Sequence, residues 1–431
     1  VLGGIRNGSH FPNGSHFPNG SHFPNGSHFP NGTYFPDGTT GGVLQNVHIR
    51  AGAPPLIRVS GQLWPLDLPA LTPQDTETIV GGALQAGQMF LSAAGSSASG
   101  TVNIGGDAGT VVGFLIAGNV STNNDTQVGS TASGVVNVGG SLALANGTST
   151  FIGSTLGPDR SLDGTRFNRA SGAVTVGGTL NVAAGNNMTI GFTSDGVADG
   201  ALQVGALEMA QAIASLQVGR SAQGEAHGLL SVGGGTLKVG SLFLGVSDGG
   251  TASGRLLLNQ AGLQAERVQA GSGGGRAELR LQDASATVSD DLSLLDGLLS
   301  LDRSLLDVGD QLTLGPAAEV HLGIDGLLRG VSFGAIDTLF ADLAGALTID
   351  LSGLVFGGGG AVFDLLRSGG VDGIHGDFTS VSFLGLASGY AAAAAIELDG
   401  GIEVYRLRLS QLDVPEPASL ALTLLALGML A

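Results

Sequence analysis

Few residues of this chain are of types that do chemistry, and their spacing decides which chemistry is open to them. Gly330-Val331-Ser332-Phe333-Gly334 has the spacing of a nucleophile elbow, with Asp337 and His375 downstream in a workable order for a triad. An elbow needs an α/β sheet with a helix behind the serine, whereas this stretch reads as part of a β protein. Asp372-Gly373-Ile374-His375-Gly376-Asp377 offers oxygen and nitrogen ligands to a cation, but Asp beside Gly twice in six residues is more economically a pair of turns. His10, His16, His22 and His28 recur every sixth residue. Along an extended chain they stand roughly 19 Å apart and cannot share one ion unless several chains converge. Sugar-cleaving sites need clustered carboxylates and aromatic platforms; residues 81–215 hold only scattered charges and neither Tyr nor Trp. The expectation is therefore no catalytic residue, no metal and no cofactor.

Asparagine points to a different chemistry. From Asn7 to Pro30 the chain reads Asn-Gly-Ser-His-Phe-Pro four times, followed by Asn31-Gly32-Thr33-Tyr34-Phe35-Pro36. Each hexad opens on the acceptor pattern for an N-linked glycan, at Asn7, Asn13, Asn19, Asn25 and Asn31. Asn119, Asn124, Asn146 and Asn187 fit the same pattern. In the hexads the third position varies only between the two residues a sequon allows, while His gives way to Tyr at Tyr34. The competing reading is that Asn-Gly is turn chemistry.

The hexads cannot build a core, because a core needs differing shapes at successive positions. Proline at every sixth place forbids helix and pushes the phenylalanine before it towards an extended conformation. Residues 1–42 are thus expected to form an extended arm, in strand or polyproline II geometry, reaching about 90 Å over Asn7–Pro36 at ~3.1 Å per residue. A Pro-rich connector, 43–80, carries Pro54-Pro55 and the only tryptophan, Trp64.

A longer, looser repeat follows. Ala-Ser-Gly recurs at Ala98-Ser99-Gly100, Ala132-Ser133-Gly134, Ala170-Ser171-Gly172 and Ala252-Ser253-Gly254, with Ala226-His227-Gly228 as a variant. Most copies lead into an alternating run such as Val135-Val136-Asn137-Val138. A second phrase, Leu216-Gln217-Val218-Gly219, recurs 26 residues on as Leu242-Phe243-Leu244-Gly245 and again as Val268-Gln269-Ala270-Gly271. Its earlier counterparts are expected at Phe114, Phe151 and Thr189. Units of this size cannot bury an apolar face alone and must stack on one another. The predicted class is all-β: a right-handed β-solenoid over 81–316, of about seven rungs at ~4.8 Å each, with Val and Leu inward, Asn, Ser and Thr outward, and glycine at the corners. Periodicity changes between Asp283 and Leu312, and 317–410 reads as a C-terminal β cap over the last rung, with strands at Ala346–Leu351 and Ile402–Leu409.

Composition narrows the partners. A net charge of −18 with no Lys/Arg cluster repels phosphate backbones and anionic headgroups, so no nucleic-acid partner is expected. The absence of cysteine removes disulfides and thiolate metal sites, leaving packing and hydrogen bonds to hold the fold. The opening at Val1, without Met or a charged and apolar leader, is what removal of a signal peptide leaves.

The C-terminal segment, 411–431, reads Val414-Pro415-Glu416-Pro417-Ala418-Ser419 before an almost wholly apolar run to Ala431. This combination resembles the PEP-CTERM sorting signal of exported bacterial proteins, with Pro415, Glu416 and Pro417 as its signature. The solenoid phrases resemble the autotransporter-type repeats that often precede such a tail. The resemblance implies export, handling by an exosortase-type enzyme, and release or display outside the cell. It departs from the pattern in ending without an arginine cluster. The 14 residues from Ala418 are short of the ~20 that span a bilayer as a helix, so membrane contact is expected to be transient; a terminal core helix is the alternative. The expectation that results is a secreted or cell-surface structural subunit of an extracellular filament or biofilm matrix, glycosylated on its hexads and joined to copies of itself through the arm. The alternatives are a monomeric adhesin or glycan-binding solenoid and, third, a carbohydrate-active enzyme.

Overall fold

The computed structural model describes residues 57–60, 79–90, 97–121, 129–157, 167–209, 211–357, 359–370 and 372–412. The 1–42 arm, most of the connector, and the tail beyond Leu412 lie outside them. Among the described residues every regular element is a strand, 26 in all, and together they form one sheet. The all-β expectation holds.

The local cause is visible in Thr131–Val138, where Thr131 and Ser133 are exposed while Ala132, Gly134, Val136 and Val138 are buried. Alternation of this kind gives each strand one apolar face, and β-branched residues suit the pleat. Before the C-terminal end, consecutive strands do not pair as antiparallel hairpins. Glu225–Val232 lies parallel between Val197–Met209 and Thr251–Asn259, whereas the strand that follows it, Gly235–Ser247, lies parallel between Ile213–Ser221 and Ala261–Ser272. Two families of strands thus alternate along this part of the chain without helical crossovers, and some strands join both: Val197–Met209 also meets Gly235, and Leu292–Asp302 pairs with both Ala261–Ser272 and Arg276–Gln282.

The register of the stack is set by one column of side chains. Val102, Val136, Val174, Leu202, Leu230, Leu256, Leu279, Leu299, Val320, Leu347 and Val381 occupy successive matching positions. The first ten are buried, and each contributes on the order of 1.5–3 kcal/mol by leaving water. A one-residue slip would turn the whole column outward. The column passes through Asp283–Leu312 unbroken. There the step between matching residues shortens to 20, from Leu279 to Leu299, so the change of periodicity read in the sequence is a shorter connection between strands.

Several expectations need correction in detail. Phe151 lies opposite Ile116, so Phe114 is two residues out of register. Thr189 lies opposite Gln217, one residue past Leu216. An unread copy of the Ala-Ser-Gly phrase, Ala198-Asp199-Gly200, sits between those at 170–172 and 226–228. The phrase glycines are not corners: Gly134, Gly172, Gly200, Gly228 and Gly254 lie within strands, where a Cβ would come within 2.4 Å of backbone from the other strand family. Not every hydroxyl points out. Thr155 and Thr193 are buried and bonded to each other at 2.6 Å, and buried Ser221 and Ser247 each donate to the carbonyl of a turn three residues on, Gly224 and Gly250.

Ile57–Ser60, within the expected connector, pairs in parallel with Ile79–Phe90. The boundary expected at 316/317 falls inside the strand Leu305–Gly323. Parallel pairing continues from there through Ala335–Leu343 to Ala361–Ser368, and through Ala346–Asp350 to Ser380–Leu384. Among the described strands, direction reverses at Ile402–Gln411, which pairs antiparallel with Ala361–Ser368 on one side and with Tyr390–Asp399 on the other.

Candidate functional site: an open strand edge

Tyr390–Asp399 is the last strand of its face, and among the described residues it pairs only with Ile402–Gln411. Among the described residues nothing pairs with its far side. Leu412 donates its N–H to the Gly389 carbonyl at 2.7 Å, just beyond the Tyr390–Gln411 pair. Bonded and non-bonded pairs alternate in an antiparallel ladder. Continuing the unbroken register inward, Ala391, Ala393, Ala395 and Glu397 bond to the neighbouring strand, while Ala392, Ala394, Ile396 and Leu398 direct their N–H and C=O groups to the open side. Leu398 is also 74% exposed.

An arginine network holds this edge in place. The half-buried Arg406 donates to Asp364 at 2.6 Å and to Glu397 at 3.2 Å, and it also bonds Asp399, tying three strands together. Burial alone would push the Asp364 carboxyl up; hydrogen bonds and charge from Arg406 and Arg367 more than offset it and hold it below the ordinary carboxylate range. The Glu397 carboxyl is likewise held low, chiefly by its bond from Arg408. Tyr405 is buried beside Phe378 in an edge-to-face contact at 5.2 Å, and burial pushes its phenol well above the usual value.

Beside the strand's start is an apolar hollow lined by Leu327, Leu354, Val355, Phe356 and Tyr390. Val355 is 88% exposed and the Phe356 and Tyr390 rings stand 4.8 Å apart. A second concavity runs across the stack at the successive positions Thr110, Ala143, Asn181 and Glu208, reaching Thr236 and Lys238.

The chain matches no protein-family model and no curated protein.

The residues weighed for an elbow are engaged elsewhere. Ser332 bonds to the Leu328 backbone, Asp337 pairs with Arg329 at 2.9 Å, and His375 stands 3.3 Å from Asp342. Asp372 adopts a positive φ of 47°, as an Asp-Gly turn allows, and among the described residues no group of three or more potential metal ligands is assembled. No helix of the described residues is long and apolar enough to cross a membrane. Arginines across the body meet acidic neighbours, as in Arg255–Glu278, Arg267–Asp290 and Arg303–Asp283, so their charge is locally balanced.

Of the acceptor asparagines, Asn146 and Asn187 are exposed, whereas Asn119 is 2% exposed, a position where the folded chain cannot carry a glycan on that side chain. Asn7, Asn13, Asn19, Asn25, Asn31 and Asn124 lie outside the described residues, as do Pro415, Glu416 and Pro417. The sequence reading missed the open edge: five consecutive alanines carry neither alternation nor high strand propensity.

Proposed function

We propose that this chain is a secreted structural protein, a subunit of an extracellular filament or biofilm matrix. In this reading the stacked strands are a right-handed β-solenoid that serves as a rigid body. The hexad repeats are a glycosylated arm that links copies of the chain, and an exosortase-type enzyme handles the Pro415-Glu416-Pro417 signal at the membrane. The observation that carries the proposal is the stack itself: one column of matched apolar residues runs from Val102 to Val381 in Ser380–Leu384, which among the described residues pairs on one side only, a geometry suited to accepting a further strand.

The test compares the full chain with one lacking residues 1–42, each secreted from the same host and viewed by negative-stain electron microscopy. Regular fibres from the full chain and none from the shortened one are expected. Equal fibre formation by both would remove the arm from assembly. The glycan-binding alternative draws on the concavity between Thr110 and Lys238, whose Asn181, Glu208 and Lys238 could bond a sugar. Isolated particles that retain polysaccharide, and lose it on Glu208→Ala, would favour that reading.

A further inference from the structure

We infer that the open edge Tyr390–Asp399 pairs with the same edge of a second copy, joining two molecules tail to tail about a two-fold axis at Ala394. Four observations select this occupant. The strand is the outermost described one of the series Ala361–Ser368, Ile402–Gln411, Tyr390–Asp399, so a partner strand placed there extends that series. The outward-bonding residues are the even-numbered ones, which restricts an antiparallel self-pairing to registers that match even residues with even.

Among those registers, the one centred on Ala394 sets Tyr390 opposite Leu398 and Ala392 opposite Ile396, so the exposed Leu398 gains an aromatic neighbour. Ala392, Ala394 and Ile396 already pack on the core face, and the pairing would extend that apolar face across the junction. Charge is the fourth discriminator. A parallel, in-register pairing would put Glu397 on Glu397 and Asp399 on Asp399, whereas the two-fold pairing sets Glu397 opposite Ala391 and Asp399 opposite Gly389. Because the contact is isologous it closes at two molecules. It would supply a paired building block whether or not the arm links such pairs into fibres.

The absence of cysteine from the chain makes the test direct. In the proposed pairing the two Ala394 Cα atoms lie about 5.5 Å apart, inside the range a disulfide accepts. The two Ala391 Cα atoms lie about 20 Å apart, six residue steps along the strand. The full chain carrying Ala394→Cys should therefore become a covalent dimer under mild oxidation, while Ala391→Cys stays monomeric on a denaturing gel. Cross-linking of both variants would mean a parallel pairing, and cross-linking of neither would mean that the edge does not meet its own copy; either overturns the proposal. Ala394→Pro provides the second reading. It removes an outward donor but no bond to Ile402–Gln411, so the folded chain should lose self-association by at least tenfold in sedimentation equilibrium. Unchanged association with the thermal transition intact would contradict it.

Discussion

Gly219→Val should unfold the stack or lower its stability by on the order of 4 kcal/mol or more, a large share of a typical domain's margin. Gly219 has φ of 63°, and a Cβ there would stand 1.9 Å from the Ser253 carbonyl oxygen and 2.4 Å from its carbon. All of the obstructing atoms are backbone, so no side chain can move aside. The same geometry repeats at Gly118, Gly153, Gly191, Gly245 and Gly271, each in register with the next and each with positive φ. These glycines let one strand family press its backbone onto the other. Gly147 is the control: its φ is 74°, but nothing lies within 4 Å of a Cβ. Gly147→Ala should cost only the left-handed strain, about 1–2 kcal/mol. Urea unfolding of the three proteins measures the difference, and similar midpoints for the two variants would mean that backbone contact is not what holds the families together.

Arg406→Ala should free the terminal hairpin while leaving the parallel stack folded, at a local cost of roughly 2–3 kcal/mol. The loss strands Asp364, whose side chain is 14% exposed and keeps only the Arg367 contact at 2.9 Å. Hydrogen exchange should show protection falling across 390–411 and persisting along the Val102–Leu347 column. Acid should mimic the substitution. Asp364 and Glu397 are held below their ordinary values in the folded chain, so their contribution is fully present above about pH 4 and is lost as pH falls through the lower folded values. The wild-type hairpin should therefore open in acid before the stack does, and Arg406→Ala should weaken that pH dependence by removing a main partner of Asp364, while the share from Glu397, held chiefly by Arg408, remains. Uniform loss of protection along the chain would show that the hairpin and the stack are one cooperative unit.

The sequence made the strand interiors legible because their cause is local. Val and Leu at alternate places in Thr131–Val138 or Thr251–Asn259 fix which face is buried, and the Ala-Ser-Gly phrase marks matching positions across strands. Register failed where that marker was disguised. Ala198-Asp199-Gly200 escaped because its middle residue faces solvent and is free to vary, and Phe114 misled because it is an aromatic two places from the true partner, Ile116. The phrase glycines looked like corners because local propensity carries no trace of a second backbone crossing 2 to 3 Å from where a Cβ would be. At the candidate site almost nothing was legible. Arg406 meets Asp364 across 42 residues, and the open edge of Tyr390–Asp399 follows from which strands reach it, which no single segment encodes.

The most direct test of the account is cryo-electron microscopy of native secreted material. The account predicts ordered fibres whose strands repeat every ~4.8 Å along the fibre axis, with non-protein density beside the hexad asparagines from Asn7 to Asn31. Isolated particles, with no fibre order and no density beside those asparagines, would contradict it.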